Sequence, residues 1–111
     1  MRVVFFRTGG GGEPVREWLL SQPRSSKKAI GEDIKTVQFG WPLGMPLVEK
    51  IGSDLWEIRT KIPHGVARVL FTVDGHLIVL LHGFIKKSKK IPGDDLEIAR
   101  ARLRLYQKAE K

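Results

Sequence analysis

Between residues 55 and 84 three apolar runs follow one another, and their alternation predicts three consecutive strands. The runs are residues 55–62 (LWEIRTKI), 66–73 (VARVLFTV) and 76–84 (HLIVLLHGF). Asp74-Gly75 lies between the last two, and that dipeptide accepts the positive φ values of a two-residue hairpin loop. Pro63-His64-Gly65 makes the other connection, so the strands are neighbours and antiparallel. Side chains alternate across a strand, which puts Trp56, Ile58, Thr60 and Ile62 on one face and Leu55, Glu57, Arg59 and Lys61 on the other. In the next strand Ala67, Val69, Phe71 and Val73 oppose Val66, Arg68, Leu70 and Thr72. One face of the sheet is therefore apolar and needs a cover of helices, while Glu57, Arg59 and Arg68 can gather on the other. The third run has no charge from Leu77 to Leu81, which predicts a central strand buried on both faces. His82 interrupts it near its exit.

The rest of the chain covers or extends this sheet. Residues 2–7 (RVVFFR) predict a short strand added beside it. Pro14 fits the first position of a helix, where its missing amide costs nothing, and Val15, Trp18 and Leu19 then form an apolar stripe that ends at Ser21-Gln22-Pro23. A second helix opens at Pro23, with Ser21 or Gln22 as its cap, carries Ala29, Ile30, Ile34 and Val37 on one side, and stops at Gly40. Residues 47–51 are too short to assign. After the sheet, Asp94 as N-cap with Glu97 three residues later starts a helix that runs to about Lys108, with Leu96, Ala99, Leu103 and Tyr106 on one stripe. The class is α+β: a small, twisted, mainly antiparallel sheet with two N-terminal helices packed on it and a C-terminal helix, all in one domain over residues 1–111.

Composition narrows the partners. No apolar run has the length of a membrane span, and the N-terminus lacks the long apolar segment and cleavage site of a signal peptide. The chain has no cysteine, hence no disulfide frame and no thiolate metal site, and a cytoplasmic location is the default. Twenty Lys and Arg against twelve Asp and Glu give a net charge of +8, and a surface that basic seeks a polyanion. The glycine run Thr8 to Gly12 precedes a helix, as in phosphate-binding loops, but the lysine and Ser/Thr of a P-loop are missing, so it reads as a connector. Lys86, Lys87, Lys89 and Lys90 put four ammonium groups into five residues, which is either a solvated tip or an anion site. Arg59 and Arg68, on adjacent strands, can share a face near this segment, which favours a concave basic site; a guanidinium fork suits a phosphate there.

The strings GMPLVEKIGSDLWEIR, ARVLFTVDG and LIVLLHGFIKKSKKIP, in that order and followed by an acid-started basic helix, resemble the RelE/HigB-type toxins of bacterial toxin–antitoxin pairs. The likeness is greatest to the phage-related HigB-like branch, and it extends to the FxRTxxGxxPVREWL opening. The resemblance implies a ribosome-dependent mRNA endonuclease (an mRNA interferase) without metal or cofactor, in which a ribose 2′-OH attacks the adjacent phosphate. It also implies a cognate antitoxin protein of helix-turn-helix type, ribosome and mRNA as partners, no membrane, and oligomers only through the antitoxin complex. By position it casts Arg59 and Arg68 as phosphate-binding catalytic residues, Arg68 as the principal clamp, and Lys87 as a source of transition-state charge. Lys61, Lys86, Lys89 and Lys90 become RNA contacts. Tyr106 lies too far along the last helix to stand in for the active-site tyrosine of some relatives.

Two residues keep alternative readings. His82 is either a proton carrier or a hydrogen-bonded histidine that closes the strand. Glu57 either takes a proton or pairs with Arg59. Trp56 can stack on a base, but its alternation places it with Ile58 in the core. Two other functions fit the same composition: a toxin of this fold that inhibits a protein such as DNA gyrase, and a basic RNA- or ribosome-binding module without catalysis.

Overall fold

The computed structural model describes residues 1–86 and 93–109. In chain order its elements are β1 (Arg2–Phe5), α1 (Pro14–Leu20), α2 (Arg24–Gly40), β2 (Val48–Gly52), β3 (Leu55–Ile62), β4 (Gly65–Asp74), β5 (Leu77–Lys86) and α3 (Gly93–Ala109). The strands form one sheet in the order β1-β5-β4-β3-β2. β2 to β5 are joined by antiparallel ladders, and β1 lies parallel to β5 at one edge. This is the α+β architecture that the alternation predicts. Strand β5, uncharged from Leu77 to Leu81, is internal and buried from Ile78 to Leu81, but the middle position belongs to β4, because β1 and β2 add only one strand at each edge.

The β4–β5 loop is Gly75-His76 rather than Asp74-Gly75. Asp74 pairs with Leu77 in the ladder and its carboxylate accepts a hydrogen bond from Tyr106 (2.7 Å), so the turn falls one residue later. Gly75 takes the first loop position at φ +57°, where a side chain would be strained. At the β3–β4 turn, Gly65 has φ +151°, and a Cβ there would lie 3.1 Å from the Lys86 carbonyl oxygen.

Each face carries its own core. On the first, Ile58, Val69, Phe71 and Leu80 meet Val15 of α1 and Ile30, Ile34 and Val37 of α2. Trp56 stacks on Phe71 (23° between planes, centroids 6.1 Å apart), with Trp41 edge-on to both, so Trp56 packs in the core as its alternation indicates. On the second face, Leu55, Leu70, Val79 and Leu81 meet Ala99 and Leu103 of α3. That face is thus half apolar, which its Leu55, Val66 and Leu70 positions foreshadow.

The helix ends differ from expectation. Pro23 itself is the N-cap residue of α2, without a side-chain cap bond. Ser21 and Gln22 turn back instead and donate to the Trp18 carbonyl (2.7 and 3.1 Å), satisfying the end of α1. Gly40 is still helical, and the chain departs at Trp41. α3 begins at Gly93, so Asp94 lies in its first turn rather than at its cap.

One irregularity sets the chemistry of the second face. Leu70 pairs with His82 but Phe71 with Leu80, which leaves Leu81 as an extra residue in β5. Such a bulge shifts the alternation by one, so His82 joins Phe84 and Lys86 on the second face instead of entering the core beneath α1. Gly83 then faces α1, and a Cβ there would penetrate the ring of Trp18. Among the described residues, no helix is long and apolar enough to cross a membrane.

Gly83→Ala should therefore destabilise by about 1–3 kcal/mol, the usual range for overpacking. Gly31→Ala, on the open side of α2 with nothing within 4 Å, should stabilise by up to about 1 kcal/mol. Urea unfolding of the two variants measures both, and equal midpoints would refute the packing of Trp18 on Gly83.

Candidate functional site

Strand register alone sets up a conflict on the second face. Glu49 pairs with Glu57 across β2–β3, and Arg59 pairs with Arg68 across β3–β4, so like charges sit directly opposite each other. The side chains resolve it diagonally. Arg59 Nη1 lies 3.6 Å from Glu49 Oε2 and its Nε lies 3.6 Å from Glu57 Oε1, while Arg68 Nη1 donates to both Glu57 oxygens at 3.2 and 3.4 Å. The result is an alternating chain, Glu49–Arg59–Glu57–Arg68, whose formal charges cancel. Arg59 and Arg68 do converge, as the alternation predicts, but onto a carboxylate. Of Glu57's two alternative readings the structure takes the ion pair, and extends it to a second arginine.

Burial divides the labour within this chain. Glu57 is 0% exposed, Arg68 3% and the Arg59 side chain 29%, so Arg59 is the guanidinium that solvent reaches. Burial pushes the Glu57 carboxyl above its ordinary value of 4.5, against the pull of Arg68 and Arg59 and with some help from Glu49. Lys61 is exposed beside Arg59, and Lys86 is half-buried at the last position of β5, opposite Val66. Both sit at the same end of the sheet as Arg59 and Arg68. The expected basic residues Lys87, Lys89 and Lys90 lie outside the described residues.

His82 is held from two sides. Arg102 Nη1 donates to the Leu81 carbonyl (2.9 Å) and to His82 Nδ1 (3.2 Å), which makes Nδ1 an acceptor and leaves Nε2–H to donate to Asp95 Oδ1 at 2.6 Å. Phe84 stacks on the ring at 5.6 Å, and Arg102 lies over Phe6. Burial lowers the pKa of Arg102 below that of an ordinary guanidinium. His82 thus clasps the β5 bulge to α3, as in the strand-closing alternative. Sequence reasoning missed Asp95 and Arg102 as its partners. Their signal is the seven-residue spacing, two turns on one face of α3.

In the glycine-rich segment the amides that lead into α1 are already committed. Thr8 and Gly11 amides bond within the loop, the Gly12 amide donates to Thr8 Oγ1 (3.1 Å), and that of Glu13 to Glu17 Oε2 (3.0 Å). His64 and His76 are exposed at the hairpin loops. Among the described residues no group of three or more His, Asp and Glu is arranged to hold a metal.

A family model described as phage derived protein Gp49-like (DUF891) matches residues 17–104. The chain belongs to this family. Gp49-like proteins are broadly toxin-like, of the RelE/HigB type. The matched span begins within α1 and ends within α3, so it contains the Glu49–Arg59–Glu57–Arg68 chain and the Asp95–His82–Arg102 clasp. No curated protein matches the chain.

Because folding raises the Glu57 pKa, its contribution to stability is full below 4.5 and declines as pH rises through its folded value. In Glu57→Gln, which cannot ionise, this decline should vanish and stability should stay flat across the range in which the wild type loses it. Urea titrations from roughly pH 4 to 8 compare the two proteins. A Gln variant with the wild-type slope would show that Glu57 is not the group responsible.

Proposed function

We propose that this Gp49-like chain is the toxin of a toxin–antitoxin pair: a metal-independent, ribosome-dependent mRNA endonuclease, acting in the cytoplasm and neutralised by a cognate antitoxin. One observation carries the reading. Arg59 is a half-exposed guanidinium braced by Glu49 and Glu57, at the end of the sheet where β5 runs on into the lysine-rich segment. Family, net charge and fold all accord with it.

The reaction needs positive charge on a pentacoordinate phosphate more than it needs covalent chemistry. The ribose 2′-oxygen attacks phosphorus as its proton leaves, the bond to the 5′-oxygen breaks, and that oxygen takes up a proton. A 2′,3′-cyclic phosphate and a 5′-OH result. Arg59 contacts the phosphate. Arg68, at 3% exposure, acts through Glu57 as a positioning residue, which departs from the clamp role that position alone implies. Lys61, Lys86 and the segment with Lys87, Lys89 and Lys90 bind the flanking backbone. His82 becomes a proton carrier only if Asp95 or Arg102 releases it.

A second reading has its own support. Both ring nitrogens of His82 are engaged and Glu57 is buried, so neither of these two groups stands open to carry a proton, and the exposed His64 lies out on the β3–β4 turn. That favours a basic RNA- or ribosome-binding module without catalysis.

Primer extension on message from induced cells separates the two. Wild type should cut ribosome-bound message, and Arg59→Ala should lose about 10²–10³ in rate while still sedimenting with ribosomes. Intact message with wild type, alongside ribosome binding, leaves the binding module standing. If about six phosphates are neutralised, affinity for RNA should fall roughly a thousandfold between 50 and 200 mM salt. A flat salt response would contradict both readings.

A further inference from the structure

β3 is longer than its edge partner. β2 pairs with it from Leu55 to Ile58, and the Arg59 amide still reaches the Leu47 carbonyl (2.9 Å), but among the described residues no strand pairs with 60–62 on that side. A cleft of about 510 Å³ opens there, within the size range of small-ligand sites (about 300–1,000 Å³). Ala29, Pro46 and Leu47 give it apolar walls. Arg59 and Lys61 line one side, and Glu32 and Asp33 of α2 the other.

The carboxylates are what call for explanation. In a chain of net charge +8, two acids beside a phosphate-binding pair weaken the hold on any polyanion. They help only if the ligand also offers N–H donors. Asp33 is held ready to accept them, since Thr60, 3% exposed, donates to its Oδ2 at 2.7 Å, and among the described residues Oδ1 takes no hydrogen bond. Guanine alone among the RNA bases presents two adjacent donors, N1–H and N2–H, along one edge, which a carboxylate accepts together. Adenine and cytosine set an acceptor beside their amino group, and uracil flanks its single N–H with two carbonyls. A site built on acceptors rejects such analogues, because its own groups are left unpaired.

We propose that this cleft is a base pocket selecting guanine next to the phosphate held by Arg59 and Lys61. Its substrate class rests on the endonuclease reading. Asp33 accepts from the base edge, Thr60 positions Asp33, and Pro46 and Leu47 pack against the ring. An extended peptide added along the open edge of β3 is the rival occupant, but it gives the paired acids no comparable use.

Binding tests this without reference to cleavage. Titrating the ¹⁵N-labelled protein with guanosine 3′-monophosphate should shift the amides of Ala29, Asp33, Leu47 and Thr60, with at least about tenfold tighter binding than uridine 3′-monophosphate. Asp33→Asn keeps an acceptor for Thr60 and should bring the two nucleotides level. Glu32→Gln, at an exposed helix position, should narrow the gap without risk to the fold. Lys61→Ala should weaken both nucleotides alike. Equal affinities in wild type, shifts that map elsewhere, or a guanine preference surviving both carboxylate variants would overturn the pocket. Absent nucleotide shifts, with shifts of these amides on adding a strand-forming peptide, would assign the cleft to the peptide. Message cleavage without guanine-selective binding defeats the pocket and spares the endonuclease, and guanine-selective binding with intact message does the reverse.

Discussion

A carboxylate with no solvent exposure constrains everything around it. Glu57 sits in the middle of β3, where ionising it is costly unless cations are close enough to offset the lost hydration. Arg68 supplies one on the neighbouring strand and Arg59 another on the same strand. Neither arginine is free to be elsewhere while Glu57 is charged. The pairing therefore does two things at once: it closes the second face of the sheet, and it holds one half-exposed guanidinium in a defined place. Positive charge offered to a ligand is small here in net terms but well positioned, with Lys61 and Lys86 adding the excess.

The two faces are finished by different means. α1 and α2 cover the first with side chains that are almost wholly apolar. α3 covers the second over an apolar patch that includes Leu55, Leu70, Val79 and Leu81, and polar contacts tie it down at both ends: His82–Asp95 near its start and Tyr106–Asp74 near its finish. The extra residue at Leu81 makes the first of these contacts possible, since without it His82 would face α1. Beyond the clasp the face carries Arg59, Lys61 and Lys86, the end nearest the cleft beside α2.

Much of this was legible in the residues. Alternation in β3 and β4 places Glu57, Arg59 and Arg68 on one face before any coordinates, because a period of two is hard to misread over eight residues. Apolar spacing locates α1, α2 and α3 to within a residue or two. What stayed hidden depends on contacts that no local pattern encodes. β2 is too short to read, yet it brings Glu49 to Arg59. The β5 bulge leaves no mark in a run of Ile, Val and Leu. Asp95 and Arg102 look like ordinary helix-surface charges until α3 docks against β5. Nor does the sequence say that Glu57 would draw in both arginines, or that β3 outruns its edge partner; both follow from strand pairing.

The central claim is that Glu57 holds Arg59 in place for an anion while Arg68 stays behind it. Guanidinium ¹⁵N signals, followed while an uncleavable 2′-deoxy oligonucleotide is added to wild type and Glu57→Gln, test it most directly. In wild type the Arg59 Nε signal should move at low ligand and that of Arg68 should follow only weakly; in Glu57→Gln the Arg59 response should shrink or need far more ligand. An Arg59 signal that stays still in wild type, or moves identically in both proteins, would contradict it.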